Sequence, residues 1–104
     1  MEEIIVGTGN VYEDLGYKDA EAMKVKADLV ARLQAIMKEH NYTQQFVAAQ
    51  TGIPQPRLSR ILRGQFREVS EFKLMECLSR LGNTVEIRIT PCQQQHGNIN
   101  LVFA

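Results

Sequence analysis

The chain has 104 residues, 44% apolar and 23% charged, and its twelve basic side chains balance twelve acidic ones. That length suits one domain with a modest core and excludes two, and the apolar runs are too short to span a membrane. Its two cysteines, Cys77 and Cys92, stand far apart in no paired motif, which argues against a disulfide framework; with an N-terminus that opens Met-Glu-Glu, unlike a secretory signal, this predicts a cytoplasmic protein.

Residues 1–18 (MEEIIVGTGNVYEDLGYK) mix apolar residues with Gly7, Gly9 and Gly16 and read as an irregular arm with one short turn near Val11 to Leu15. The arm holds Ile4, Ile5, Val6, Val11, Tyr12, Leu15 and Tyr17, so it must dock on its own domain, on a dimer partner or on another protein. Asp19 is then the expected N-cap of a helix from Ala20 to about Glu39. Met23, Leu29, Val30, Leu33, Ile36 and Met37 recur at spacings of three and four along it, which turns one stripe toward a core. His40-Asn41 ends it, since Asn tolerates a left-handed turn.

Thr43 is expected to cap a short second helix, Gln44 to about Gln50, that buries Phe46 or Val47 and presents Ala48-Ala49. Gly52 makes the turn, and Pro54 and Pro56 fall where a third helix begins, a place that lacks helical N–H partners in any case. That helix is predicted to run to Arg63 and stop at Gly64. Ser70 is the cap of a fourth, with Phe72, Leu74, Leu78 and Leu81 apolar, closed by Gly82-Asn83. Beyond Gly82 the period shortens to two: Thr84-Val85-Glu86-Ile87-Arg88-Ile89-Thr90 alternates, and Asn98 to Phe103 is a second candidate strand across a PCQQQHG loop. The chain therefore divides into an arm (1–18), a helical domain (19–83) and a β extension (84–104). A lone hairpin is marginal, so the extension either packs on the helices or completes a sheet with a second subunit, and the second is the favoured expectation.

Charge is unevenly placed. Residues 1–28 carry Glu2, Glu3, Glu13, Asp14, Asp19, Glu21 and Asp28 against Lys18, Lys24 and Lys26, whereas 41–67 carry Arg57, Arg60, Arg63 and Arg67 and no acid. The two stretches suggest surfaces with different partners. Two short helices around a glycine turn make the unit many DNA readers use. Ala48 falls at the close approach, Gly52 in the turn, and Ile53, Leu58 and Ile61 where the second helix must be anchored. At about 100° per residue, Leu58, Ile61 and Leu62 cluster on one side of the third helix. Pro56, Arg60 and Arg63 lie opposite, flanked by Arg57 and Ser59, with Gln55 at the N-terminal tip. Gln and Arg are the side chains that bond bidentately to adenine and guanine edges.

The run TQQFVAAQTGIPQPRLSRILRG resembles the helix-turn-helix of the lambda repressor/Cro-like (XRE) superfamily. With the acidic VYEDLGYKDAEAMKVKADL before it and FREVSEFKLMECLSRLGNTVEI after it, the chain is similar to small antitoxin regulators of the HigA kind. The resemblance implies a mainly α, four-to-five-helix lambda-repressor-like domain, to which the period-two tail adds a C-terminal strand or hairpin expected to form the dimer sheet. It implies a homodimer that binds a palindromic operator in double-stranded DNA and represses transcription. Many such proteins also neutralise a small basic ribonuclease toxin encoded beside them; a stand-alone regulator of the same type is the alternative. Carried over by residue, the resemblance assigns base reading to Gln55 and Arg60, flanked by Arg57 and Ser59, which could do either job. It assigns phosphate contact to Gln44 and Arg63, with Thr43 and Arg67 beside them. Pro54 stands where a serine or threonine would normally cap the recognition helix, which removes a cap worth about 1 kcal/mol.

Other chemistries find little in the sequence. Cys92 and His96 have a plausible ligand spacing, but two ligands make no zinc site. Cys77 shares a helix face with Leu74, Leu78 and Leu81 and reads as a small core residue. Gly7-Thr8-Gly9 lacks the strand, helix and third glycine of a phosphate loop. No catalytic residue, metal or cofactor is expected.

Overall fold

The computed structural model describes residues 4–6 and 19–103. Its element order is β1 (Ile4–Val6), α1 (Ala20–His40), α2 (Gln44–Thr51), α3 (Gln55–Leu62), α4 (Glu71–Arg80) and β2 (Leu101–Phe103). The architecture is mainly helical, as the periodicity predicts, and the helices fall within a residue or two of the expected limits.

The apolar stripe of α1 packs most extensively on α4, with α3 against its flank, while α2 touches both α3 and α4. Leu29, Val30, Leu33 and Ile36 from α1 meet Val47, Ile53, Leu58, Ile61, Leu74, Cys77 and Leu78 in one buried cluster, closed from below by Phe66 and Val69. Asn41 ends α1 in the left-handed region at φ 57°. Ser70 caps α4 by accepting a hydrogen bond from the Lys73 N–H at 3.0 Å. Both ends were expected from residue type.

Three expectations need correction. Asp19 stands at the N-cap of α1 but makes no capping hydrogen bond; its carboxylate accepts instead from Arg67 Nη1 at 2.7 Å, across 48 residues of chain. Phe72, grouped with the apolar face of α4, is 72% exposed, because Leu74, Cys77 and Leu78 already fill the side that meets the core. Of the two strands expected in the tail, only the second forms. It pairs antiparallel with β1 in the register Ile4↔Phe103, Ile5↔Val102, Val6↔Leu101, and the segment 84–90 has no regular secondary structure. Local alternation cannot choose a strand's partner, and here the partner lies almost a hundred residues away. Part of the arm thus docks on its own chain, and β2 packs on α1, where the Arg32 guanidinium carbon lies 5.1 Å from the Phe103 ring centroid. The turn expected near 11–15 lies outside the described residues.

Candidate nucleic-acid interface

The interface is built on α2 and α3. Thr43 Oγ1 accepts from the Phe46 N–H at 3.0 Å, satisfying one of the donors a helix start leaves open. The alternative left between Phe46 and Val47 resolves toward Val47, which is fully buried, whereas Phe46 is 41% exposed and tilts against Tyr42 with ring centroids 4.8 Å apart. Gly52 closes α2 at φ 77°, a conformation open to glycine at no steric cost, and its N–H donates to the Ala48 carbonyl at 2.9 Å. Ile53 then enters the core. The glycine turn therefore holds two short helices in contact at the spacing the motif requires.

α3 starts without a side-chain cap, at Pro54. The Pro54 carbonyl accepts the Leu58 N–H at 2.9 Å, and Pro56, in the first turn, has no N–H to leave unsatisfied. Leu58 and Ile61 are buried and Leu62 half-buried, while Gln55, Pro56, Arg57, Arg60 and Arg63 are exposed. The helix thus turns the expected face outward. Ser59, in the base-reading set, is only half-exposed and lies toward the edge of that face.

The charges of this face are unengaged. Among the described residues, neither an ion pair nor a side-chain hydrogen bond reaches Arg57, Arg60 or Arg63. The ion pairs lie elsewhere: Lys24 with Asp28, Lys26 with Glu71, Lys73 with Glu76, and Arg67 with Asp19. Arg67 therefore differs from the other three arginines, since Asp19 already neutralises it. Arg57 and Arg60 also border a concavity of about 430 Å³, whose far wall is the loop carrying Gln65, Arg67 and Glu68. Thr43 is exposed and Gln44 half-exposed at the start of α2.

Three polar side chains that the pattern did not single out hold this platform. Gln34 Nε2 on α1 donates to the Leu62 carbonyl at 2.7 Å, where α3 ends. Lys73 Nζ on α4 donates to the Thr51 carbonyl at 3.4 Å, where α2 ends, and to Glu76 Oε1 at 3.0 Å. A cation at a helix C-terminus also opposes the helix dipole. Lys26 Nζ donates to the Arg67 carbonyl at 2.7 Å, fixing the loop after α3. Lys26 carried a legible signal: it is a lysine within the stripe that includes Met23, Val30 and Leu33, and it is buried there. Gln34 and Lys73 carried none, because their partners are backbone carbonyls.

Burial pushes the Cys77 thiol up from its ordinary value, which suits an inert core residue and not a nucleophile. Among the described residues, no three His, Cys, Asp or Glu side chains come together to hold a metal ion, and no helix is long and apolar enough to cross a membrane.

Comparison with known proteins agrees with this geometry. A family model described as a helix-turn-helix domain matches residues 11–90. A solved structure named as an XRE-family transcriptional regulator superposes with a TM-score of 0.73 at 32% identity, covering 83% of this chain and 99% of that one. No curated protein sequence matches the chain. A match over most of the chain, in sequence and in fold, places it plainly: the protein belongs to the helix-turn-helix family of XRE-type regulators.

Proposed function

We propose that the protein is a sequence-specific, DNA-binding transcriptional repressor that acts as a cytoplasmic homodimer, and that it is the antitoxin of a toxin–antitoxin pair repressing its own operon. The observation that carries the DNA reading is the outer face of α3. Gln55, Arg57, Arg60 and Arg63 are exposed there, and among the described residues no carboxylate pairs with them. An unpaired guanidinium suits a polyanion, because binding need not first break an internal pair.

Two copies of α3, one per protomer, enter successive major grooves about 34 Å apart on a palindromic operator. Gln55 and Arg60 read base edges, with Arg57 and Ser59 at the sides of the same face. Thr43, Gln44 and Arg63 hold phosphates and set the register. The Thr43 hydroxyl oxygen accepts from Phe46, so its proton is free to donate to a phosphate. Arg67 reaches a phosphate only by exchanging Asp19 for it. The antitoxin part rests on the resemblance to HigA-like regulators and on the acidic excess of residues 1–28, which complements the basic surface a ribonuclease needs to attract RNA.

Selection of bound duplexes from a random pool tests the reading. The expected result is an inverted repeat bound at least about a thousandfold more tightly than a scrambled duplex at equal salt. Equal affinity for both would overturn sequence-specific recognition. For the antitoxin role, a neighbouring reading frame whose product arrests growth and is neutralised by co-expression of this chain is the supporting result. A neighbour without that effect leaves a stand-alone regulator.

A further inference from the structure

Residues 84–90 are the part of the chain whose pattern and structure disagree most. Thr84-Val85-Glu86-Ile87-Arg88-Ile89-Thr90 is rich in β-branched residues and alternates with period two, which favours a strand with one apolar face. No strand forms, and among the described residues no hydrogen bond joins any part of 84–91 to the rest of the chain. Ile87 is 75% exposed and Ile89 91% exposed, with Val85 also outside the core. The base of the segment is nevertheless fixed. Asn83 Nδ2 and Asn83 N both donate to the Leu78 carbonyl, at 2.9 and 3.2 Å, so the segment leaves the end of α4 from a set position.

The order of its side chains indicates what covers it. Placed antiparallel against itself about Ile87, the segment brings Glu86 opposite Arg88, Val85 opposite Ile89 and Thr84 opposite Thr90. Both charged pairs are then of opposite sign, and six apolar side chains share one face of the ribbon. A parallel in-register arrangement sets Glu86 beside Glu86 and Arg88 beside Arg88, which is unfavourable. Neither Glu86 nor Arg88 has an ion-pair partner among the described residues. This two-fold self-complementarity is what an isologous interface demands.

We infer that residues 84–90 are the dimerisation strand, and that they pair antiparallel with the same residues of a second copy of this chain, centred on Ile87. The inference deepens the repressor reading and rests on its dimer, but it moves the contact away from β2, whose partner is β1 of the same chain. It also ties the spacing of the two recognition helices to one short ribbon rooted at α4.

Sedimentation velocity of the full chain over a concentration series tests it, alongside charge reversal. Arg88→Glu alone, or Glu86→Arg alone, places two like-charged pairs across the axis and should raise the dimer dissociation constant about tenfold. The double variant Glu86→Arg with Arg88→Glu restores opposite pairs and should return it to within about threefold of the wild type. Helical circular dichroism and the unfolding of the monomer are expected to stay unchanged, since these side chains are exposed. A monomeric wild type, single reversals without effect, or a double variant no better than the singles would each overturn the register. Binding to a half-site duplex separates this from the wider reading. If the register fails while half-site binding persists, the dimer strand is wrong and DNA recognition stands; if the charge series behaves as stated but no duplex is bound, the reading of α3 fails alone.

Discussion

The outer face of α3 and the segment 84–90 both present unsatisfied groups to solvent, but of opposite kinds. α3 exposes charge: Arg57, Arg60 and Arg63 stand in water with no ion-pair partner among the described residues. An exposed guanidinium costs a folded monomer almost nothing, because water solvates it well. The tail exposes Val85, Ile87 and Ile89 instead, and apolar surface in water is unfavourable at about 25 cal/mol for each Å². The difference implies two modes of association. The cationic face can stay open until a polyanion displaces its counterions, whereas the apolar segment favours being covered whenever a second copy is available.

The largest effect should come from setting buried apolar groups against exposed ones. Leu58 lies on the inner side of α3 and is fully enclosed, so Leu58→Ala should destabilise the protein by about 2–5 kcal/mol in a denaturant titration. Ile89→Ala, at a site of almost full exposure, should change the monomer's stability by no more than about 0.5 kcal/mol. A large loss from Ile89→Ala at a concentration where the protein is monomeric would mean that the segment packs on its own domain, and the contrast would collapse.

The arginines offer the next test. Arg60→Ala should weaken operator binding by about 1–3 kcal/mol and relax preference at one base position. Arg63→Ala should weaken binding to all duplexes and lower the salt slope by about 1. Arg67→Ala removes an exposed pair with Asp19, worth at most about 1 kcal/mol to stability, and should alter the salt slope less than Arg63→Ala does. Anisotropy titrations across a salt series measure all three. A uniform loss from Arg60→Ala would remove it from the base readers, and equal slopes for Arg63→Ala and Arg67→Ala would show that Asp19 does not hold Arg67 back.

Much of this arrangement was legible in the sequence, and the exceptions share a cause. Helix limits, the Gly52 turn, the buried Leu58 and Ile61 and the outward arginines all follow from local periodicity and residue type. What escaped depends on pairings distant in the chain: Asp19 with Arg67, β1 with β2, and Gln34 and Lys73 with the carbonyl ends of α3 and α2. Phe46 and Phe72 were ambiguous for another reason. Each neighbours a more deeply placed residue, and a helix wheel alone cannot rank two apolar neighbours by depth.

Caps should give a smaller effect that still separates the two regions. Thr43 closes the start of α2 through the Phe46 N–H, so Thr43→Ala should cost about 1 kcal/mol of stability. It should also weaken DNA binding beyond that loss, if the hydroxyl donates to a phosphate. Ser70→Ala removes the equivalent bond at α4 and should cost a similar amount of stability while leaving DNA affinity unchanged. An identical DNA phenotype for the two would remove Thr43 from the phosphate set.

The smallest effect concerns Lys73, which links the end of α2 to Glu76. The hydrogen bond and charge of Lys73 hold the Glu76 carboxyl below its ordinary value. A carboxylate whose pKa is lowered on folding adds stability above its unfolded value and loses that stability as pH falls through the folded one. Glu76→Gln should therefore lower the thermal midpoint slightly at neutral pH. The gap from the wild type should close as the solution is acidified below the usual glutamate range, and it should shrink with added salt because the pair is only partly buried. The same pH series on Arg60→Ala should show no such convergence, since among the described residues no carboxylate pairs with the Arg60 guanidinium. A gap for Glu76→Gln that persisted in acid would locate its effect in packing, and the link from α4 to α2 would then rest on the bond to the Thr51 carbonyl alone.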